Sequence, residues 1–343
     1  MKALVLREYR RFEFEDVPKP QVQPDEVLIR VRACGICGSD VHGIDGSTGR
    51  RIPPIIMGHE AAGEIAEVGG TVTGWRTGDR VTFDSTFYCG RCWHCRRGEV
   101  NLCDERRVFG VSCADYRRDG AFAEFIAVPG RILYRLPDNL SFEKAAMVEA
   151  LSVAVHAVER TPLAPGSAVA VVGAGMIGLL VIQVLKAAGC SVILAIDLDA
   201  GRLEIARRLG ATSVFKADSA DLPESVRRLT DRRGVDAAFE VVGVAPAVKT
   251  AIACVRKGGS VTLVGNLEAK VELPLQAVVT RQLTLIGTCA SAGEYPACLD
   301  LIASGEVNVT EFISATPPLE EGGQWFERLY AREKGLIKVI LKP

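Results

Sequence analysis

The stretch that decides the fold is SAVAVVGAGMIGLLVIQVLKAAGCSVILAID, residues 167–197. Its pattern predicts a strand, a tight turn, a helix that continues to about Gly189, and a second strand that ends at Asp197. The turn has three glycines at the spacing GxGxxG, namely Gly173, Gly175 and Gly178. Such glycines allow a tight turn, close approach of the backbone to a pyrophosphate, and close packing of the helix on the strand. The stretch therefore predicts a dinucleotide-binding site.

The end of the second predicted strand indicates which dinucleotide binds. Asp197 follows Gly175 by 22 residues, close to the ~20 expected for a carboxylate that binds the ribose hydroxyls. A carboxylate accepts hydrogen bonds from a 2′-hydroxyl and repels a 2′-phosphate, so NAD is expected rather than NADP. The role of Arg202 stays open, because its guanidinium can pair with a 2′-phosphate or can simply lie on the surface of a helix. Met176 and Ile177 begin the predicted helix, where free N–H groups meet the pyrophosphate.

Three more predicted strands follow, in VDAAFEVVG, GGSVTLVGN and LTLIGT, with stretches of helical composition between them. This alternation predicts an α/β fold with a doubly wound parallel sheet. Ligands of such sheets bind beyond the carboxyl ends of the strands. The nicotinamide site is therefore expected to be lined by the residues that follow these strands: Val242, Gly243, Val264, Gly265 and Asn266.

The composition of the whole chain indicates a globular protein of two domains. Its 343 residues are 48% hydrophobic and 24% charged, which excludes a disordered chain. A net charge of -1 gives no basic excess, so neither nucleic acid nor an acidic membrane surface is an expected partner. No stretch resembles a signal peptide or reaches the ~18 apolar residues of a membrane helix, so a cytoplasmic location is expected.

Four cysteines lie within CGRCWHCRRGEVNLC, namely Cys89, Cys92, Cys95 and Cys103. Disulfides are disfavoured in the cytoplasm, and eleven cysteines are an odd number for a disulfide framework. A redox pair needs one CxxC beside a helix start, whereas two CxxC steps overlap here. Four thiolates complete a tetrahedral zinc site and leave no open position. The segment therefore predicts a structural zinc, with His94 as a bystander.

A second zinc site with an open position is expected from two other stretches. ACGICGSDVHGIDG contains Cys37, and PIIMGHEAAGE contains His59. The third ligand is either Glu60 or Glu149, the latter on a predicted helix in SFEKAAMVEALSVAVHAVER. This alternative stays open. Either choice leaves the fourth position to water or substrate, so that zinc acts as a Lewis acid on an alcohol oxygen.

Polar residues that follow Cys37 have expected roles in proton transfer and orientation. Ser39 is expected to accept the alcohol proton and pass it through a ribose hydroxyl to His42, since histidine exchanges protons near neutral pH. Two other interpretations stay open: Ser39 as a turn-stabilising hydroxyl and His42 as a surface histidine. Asp40 is expected to orient His59 rather than to bind the metal.

Together these residues resemble the zinc-containing medium-chain alcohol dehydrogenases. GHEAAGEIAEVGGTV, from Gly58, is similar to the signature of that family, and CGSD and the four-cysteine segment lie where the family has them. MVEALSVAVHAV resembles the polyol branch, which contains sorbitol, L-iditol and galactitol-phosphate dehydrogenases. Threonine and butanediol dehydrogenases are near neighbours. The polyol branch usually has proline where this sequence has Ala150.

The resemblance implies a particular domain organisation and set of cofactors. A Rossmann NAD-binding domain is expected at 151–289, and a GroES-like, partly barrel-like β catalytic domain at 1–150 and 290–343. Two zinc ions per chain and a dimer or tetramer are implied, and Arg202 is expected to flank the adenosine ribose. A zinc-free quinone reductase would not need Cys37 or His59, and a non-catalytic nucleotide-binding protein would not need an open zinc site.

The expected activity is oxidation of a secondary alcohol of a polyol, such as L-iditol, sorbitol or galactitol, to a ketone with NAD. A phosphorylated polyol stays open as an alternative substrate, because the loop GSTGRRIPP contains Arg50 and Arg51, whose guanidinium groups suit phosphate. The loop is expected to be solvated, so Arg50→Ala and Arg51→Ala are each expected to have almost no effect on oxidation of the free polyol.

Overall fold

The computed structural model describes residues 1–343 and divides the chain into two compact units. The first unit comprises Met1–Glu149, Tyr295–Ser304 and Val309–Pro343. The second unit comprises Ala150–Glu294 and Gly305–Asn308. The expected second boundary, at 290, lies five residues before the division at Tyr295, and residues 305–308 group with the second unit.

The first unit is built mainly from β-strands. They are β1 (Lys2–Glu8), β2 (Arg11–Asp16), β3 (Glu26–Gly35), β4 (Ile55–Ile56), β5 (Glu60–Val68), β6 (Arg80–Phe83), β7 (Thr86–Phe87), β8 (Arg107–Val108), β9 (Val111–Ser112), β10 (Arg117–Arg118), β11 (Phe125–Pro129), β12 (Leu133–Arg135), β19 (Ile313–Ala315) and β20 (Lys338–Leu341). A seven-stranded sheet has the order β12-β6-β5-β3-β20-β19, with β11 also paired to β3. A three-stranded sheet has the order β2-β1-β4. The faces of these sheets enclose an apolar core that includes Phe83, Phe122 and Phe326.

The second unit contains one six-stranded parallel sheet. Its strands are β13 (Ala168–Val172), β14 (Val192–Asp197), β15 (Ser213–Lys216), β16 (Val235–Glu240), β17 (Val255–Leu263) and β18 (Thr284–Gly287). The order is β15-β14-β13-β16-β17-β18, so the chain reverses direction across the sheet between β13 and β16. This is the Rossmann order, and the predicted doubly wound parallel sheet is confirmed. The central strand β13 is an apolar run because both its faces are buried.

Ten α-helices complete the fold. They are α1 (Gly38–Gly43), α2 (Phe142–Ala145), α3 (Val148–Glu159), α4 (Met176–Ala187), α5 (Ala200–Leu209), α6 (Leu222–Arg228), α7 (Ala245–Cys254), α8 (Leu275–Thr280), α9 (Tyr295–Ser304) and α10 (Gly322–Tyr330). The stretch expected to form one helix over residues 141–160 forms two, α2 and α3. None of the ten helices has the length and apolar character that crossing a membrane requires.

Candidate metal and nucleotide sites

The four cysteines of residues 89–103 form one cluster at the surface of the first unit. The sulfur atoms of Cys89, Cys92, Cys95 and Cys103 all lie within 4.8 Å of one another. The chain turns tightly around them because Gly90 and Gly98 have positive φ angles of 73° and 81°. All eleven cysteines of the chain are free thiols. The cluster therefore has the donor number and the compactness of a closed tetrahedral zinc site.

Backbone N–H groups point at the sulfur atoms of this cluster. Cys92 N–H donates to Cys89 Sγ at 3.3 Å, and Glu105 N–H donates to Cys103 Sγ at 3.3 Å. Cys95 N–H donates to Cys92 Sγ at 3.5 Å, and this donor together with the backbone N–H of Asp104 lowers the pKa of Cys92 to about 6, because both stabilise the thiolate that a metal requires. His94 is not part of the cluster, and its Nδ1 lies 3.0 Å from Glu99 Oε2.

A second group of possible metal ligands is formed by Cys37, His59 and Glu60. Their ligand atoms lie within 4.8 Å of one another. Cys37 follows the end of β3, and Glu60 begins β5 directly opposite Gly35 of β3, so the pairing of two strands brings the group together. Glu60 Oε1 is buried and has no hydrogen-bond partner, which is costly unless a cation lies beside it. A sulfur, an imidazole nitrogen and a carboxylate oxygen together fit zinc.

The other oxygen of Glu60 is held by a buried lysine that sequence reasoning missed. Lys338 Nζ donates to Glu60 Oε2 at 2.5 Å and to the Ile36 carbonyl at 3.0 Å. Burial alone would lower the pKa of Lys338, but the negative charges of Glu60 and Cys37 raise it overall, so the lysine stays protonated. A Cβ atom at Gly35 would lie 2.2 Å from Glu60 Oε2, so this ion pair requires glycine there. A lysine inside the apolar run LIKVIL was the available signal, since buried lysines need a partner.

Asp40 lies beside the imidazole of His59, and Arg51 is paired with Asp40. Asp40 Oδ1 lies 3.5 Å from His59 Nδ1, as expected for a residue that orients the imidazole. Arg51 donates to the same Oδ1 from Nη2 at 2.8 Å and from Nε at 3.1 Å. Burial alone would raise the pKa of Asp40, but His59 and Arg51 lower it well below its usual range. The carboxylate therefore stays ionised in a fully buried position.

The interpretation of Arg51 as part of a solvated loop is wrong. Its side chain is only 3% exposed, because the guanidinium reaches inward to neutralise Asp40. Arg50, by contrast, is exposed. No sequence signal distinguished the two neighbouring arginines. Which of them reaches the buried Asp40 of α1 depends on how the loop folds, and the local sequence does not show this.

The two residues expected to transfer protons lie on α1. Ser39 and His42 are both exposed and are three positions apart, so they share one face of this short helix. Ser39 Oγ lies 3.4 Å from Arg51 Nη2. The helix begins immediately after Cys37, which places both side chains close to the ligand group.

Glu149 lies outside the group of three ligands. It is the second residue of α3, and its Oε1 accepts a hydrogen bond from Ser85 Oγ at 3.2 Å. Burial raises the pKa of Glu149, the charge of Glu60 raises it further, and His59 lowers it. The backbone N–H of Ser85 donates to Tyr295 Oη at 3.4 Å. Sequence reasoning missed Ser85 and Tyr295, because nothing in their local sequence marks this contact.

The glycine-rich turn of the second unit has the geometry that a pyrophosphate site needs. Gly173 has a φ of 102°, and Gly175 caps α4, whose first residues are Met176 and Ile177. A Cβ atom at Gly178 would lie 1.9 Å from the Gly173 carbonyl oxygen, so only glycine allows the helix to pack here. The free N–H groups at the start of α4 are available to an anion.

Asp197 ends β14 beside this turn. Its Oδ2 accepts a hydrogen bond from Ala174 N–H at 2.6 Å, and its Oδ1 accepts one from Asp199 N–H at 2.8 Å. Each oxygen of a carboxylate can accept a second hydrogen bond, so the group is able to bind ribose hydroxyls as well. Arg202 lies on the first turn of α5 with an exposed side chain.

Glu240 organises the loops that follow β16 and β17. Its buried carboxylate accepts hydrogen bonds from Val242 N–H and Gly243 N–H, both at 2.8 Å. Its backbone carbonyl accepts from Val264 N–H at 2.8 Å and from Gly265 N–H at 3.1 Å. Burial raises the pKa of this carboxyl. The structure thus brings together the residues predicted to line the nicotinamide site, around an acidic residue that sequence reasoning missed.

Comparison with known proteins identifies the family. Residues 23–138 match the alcohol dehydrogenase GroES-like domain, and residues 177–304 match the zinc-binding dehydrogenase domain. The chain is 37% identical to sorbitol dehydrogenase of Bacillus subtilis, over 100% of this chain and 97% of that protein.

Two solved structures superpose closely on the chain. Alcohol dehydrogenase TADH from Thermus sp. ATN1 has a TM-score of 0.93 at 35% identity, over 100% of this chain and 99% of that one. Galactitol-1-phosphate dehydrogenase from Escherichia coli has a TM-score of 0.92 at 27% identity, over 100% of both chains. The chain is a zinc- and nicotinamide-dependent oxidoreductase. It belongs to the zinc-containing medium-chain alcohol dehydrogenase family, in the branch that contains the polyol dehydrogenases.

Proposed function

We propose that this protein oxidises a secondary alcohol of an unphosphorylated polyol to a ketone, with NAD as the hydride acceptor. The observation that carries the proposal is the group of Cys37, His59 and Glu60, which offers a metal three protein ligands and leaves a fourth position open. A glycine-rich turn with Asp197 at the end of the next strand supports the choice of NAD.

We assign Glu60 rather than Glu149 as the third ligand. Glu60 Oε1 has no hydrogen-bond partner and belongs to the compact group, whereas Glu149 Oε1 is bonded to Ser85. The four cysteines of residues 89–103 hold a structural zinc, since they leave no position for a substrate.

The proposed chemistry divides between the bound groups and the residues of the chain. When bound, zinc supplies a Lewis acid for the alcohol oxygen and NAD accepts the hydride. Ser39 would accept the proton of the alcohol and pass a proton on toward His42, on the same face of α1, which would release it to solvent. Asp40 holds the imidazole of His59 in place, and Lys338 holds the carboxylate of Glu60.

Several observations support a free polyol as the substrate. Glu149 lies near enough to Glu60 and His59 to be affected by their charges, and a carboxylate beside the metal group suits a chain of neighbouring hydroxyls better than a simple alkanol. Arg51 is occupied by Asp40, so only Arg50 of the two loop arginines is exposed. A relative that is 37% identical to this chain is named sorbitol dehydrogenase, whose named substrate is a free polyol.

A substrate panel tests the proposed activity. L-iditol, sorbitol and galactitol, each compared with its phosphate ester, should reduce NAD in the zinc-loaded enzyme, with the free polyol giving the higher kcat/KM. Arg50→Ala should change kcat/KM for the free polyol by less than about twofold, since an exposed loop charge contributes little. A large gain on phosphorylation that Arg50→Ala abolishes would instead support a phosphopolyol dehydrogenase.

Replacing Asp197 with alanine should relax the preference for NAD. The substitution removes a negative charge that repels a 2′-phosphate and a hydrogen-bond acceptor for the ribose hydroxyls. We expect kcat/KM with NAD to fall by at least about tenfold, while kcat/KM with NADP stays constant or rises. Asp199→Ala, which alters the cap of α5 two residues later, is the matched control. An unchanged ratio of the two efficiencies would remove Asp197 from the cofactor site.

We also propose that the protein works in the cytoplasm as a dimer or tetramer, with functional domains at 1–150 and 290–343 and at 151–289. The eleven free thiols favour a reducing compartment. The oligomeric proposal rests on the resemblance to the family, and light scattering of the purified protein tests it directly.

A further inference from the structure

The first unit contains a cavity that the proposed reaction does not use. It is lined by the β1–β2 hairpin with residues 17–20, by residues 54–56, and by residues 117–120 and 125–127. We call it the hairpin cavity. Its volume of about 540 Å³ falls within the ~300–1,000 Å³ of small-molecule sites. None of the proposed metal ligands or proton-transfer residues lines it.

The walls of the hairpin cavity are largely apolar. Ile56, Phe109 and Ile126 contribute buried side chains, and Phe125 and Val17 contribute half-buried ones. An apolar wall of this extent gives a hydrocarbon group a favourable environment, because it removes apolar surface from water.

Positive charge dominates among the polar groups of the hairpin cavity. Arg7, Lys19, Arg117 and Arg118 line the cavity together with two carboxylates, those of Glu15 and Asp119. Glu15 is already paired with Arg7, and Asp119 Oδ1 accepts a hydrogen bond from Ile56 N–H at 3.1 Å. The charges within the cavity are therefore not balanced by the protein itself.

Three of these cations lack a strong anionic partner. Lys19 lies 4.4 Å from the centre of the Phe125 ring, and Arg117 donates only to the neutral oxygens of Ser112 and Ile52. Arg118 lies between the rings of Phe87 and Phe109, at 4.4 Å and 4.6 Å from their centres. Its one carboxylate, Glu26, is 3.5 Å away.

Arg118 is also incompletely satisfied. Its Nε is buried without a hydrogen-bond partner, and burial lowers the pKa of the guanidinium. A buried donor of this kind costs free energy until an acceptor reaches it. The two flanking rings hold the guanidinium plane in one orientation, which reduces the entropy lost when it binds an anion.

We propose that the hairpin cavity is a binding site for a small organic carboxylate. The carboxylate is bound by Lys19, Arg117 and Arg118, and the hydrocarbon part packs on the apolar wall. Two lining residues of the cavity, Ile56 and Gly120, are bonded to each other, since Gly120 N–H donates to the Ile56 carbonyl at 2.7 Å. Ile56 lies three residues before His59, so the chain connects the cavity wall directly to the metal group.

Hexanoate and hexanamide, which differ in charge but hardly in shape, test this proposal by titration calorimetry on the zinc-loaded full-length protein. We expect hexanoate to bind at least about fivefold more tightly than hexanamide. The double variant Lys19→Met/Arg117→Met should lose most of that preference, because only Arg118 of the three cations remains. Both side chains are exposed, so the variant should keep the wild-type melting temperature. Arg76→Met, an exposed arginine outside the cavity, is the control and should bind as the wild type does.

Three results would overturn the proposal: no hexanoate binding at about 20 mM, equal affinity for the two probes, or unchanged affinity in the double variant. If hexanoate bound only at the metal group, the double variant would bind it with unchanged affinity. The titration needs no polyol and no turnover, so its outcome is independent of the proposed reaction.

Discussion

Replacing Cys95 with serine should remove one of the two zinc ions expected per chain and strongly destabilise the first unit. Cys95 Sγ lies within 4.8 Å of the three other sulfurs of its cluster, and no neighbouring group replaces it as a fourth thiolate. Binding energy at a closed zinc site is folding energy, so its loss costs on the order of several kcal/mol. We expect the melting temperature to fall by roughly 10 °C.

Zinc content by mass spectrometry and thermal unfolding check this expectation. Cys113→Ser is the matched control, since Cys113 lies in the same unit but outside the cluster. Whatever fraction of Cys95→Ser folds should retain activity per remaining zinc, because the cluster leaves no position for a substrate. Two zinc ions per chain together with an unchanged melting temperature would show that the cluster is not a structural zinc site.

Replacing Arg51 with methionine should destabilise the protein by about 3–5 kcal/mol and lower kcat/KM, because it leaves the buried carboxylate of Asp40 without its main cation. That carboxylate orients His59, so the metal group should lose its geometry as well. Arg50→Met, a change to the exposed neighbour, should be nearly silent. Urea unfolding and steady-state kinetics of both variants make the comparison.

The pH dependence of the Arg51→Met effect follows from Asp40. The pKa of Asp40 is lowered in the folded wild type, so its ion pair contributes stability above the unfolded pKa of about 4. This contribution is lost as the pH falls toward the folded pKa. The difference in stability between wild type and variant should therefore be largest near neutral pH and shrink in acid. Equal unfolding of Arg51→Met and Arg50→Met at pH 7 would contradict the buried ion pair.

The sequence predicted those features whose physical cause is local. The GxGxxG turn, the strands around it and the four-cysteine segment each depend on residues a few positions apart. The glycines at 173 and 178 are required by a positive φ and by a contact within the same turn. A short-range pattern is sufficient to identify such features.

Asp40 was predicted as the partner of His59, but the partners of Glu60 and Glu149 were not identified, because they come from distant parts of the chain. Lys338 reaches Glu60 only after β20 pairs with β3, and Ser85 meets Glu149 across 64 positions. The same limit left Glu60 and Glu149 open as alternatives, since the carboxylate that lies beside Cys37 and His59 is decided by strand pairing rather than by spacing. Likewise, the path of the loop, which no local pattern shows, decides that Arg51 is buried and Arg50 is exposed.

The ion pair of Lys338 with Glu60 has a consequence for protein synthesis. Its two residues are 278 positions apart, and the whole six-stranded sheet lies between them in the sequence. A ribosome therefore translates Cys37, His59 and Glu60 long before the lysine that neutralises Glu60 emerges. Until then the nascent first unit carries an excess of negative charge at its metal group, which would attract a cation. The metal group therefore reaches its final balance of charge only when β20 has been made and has paired with β3.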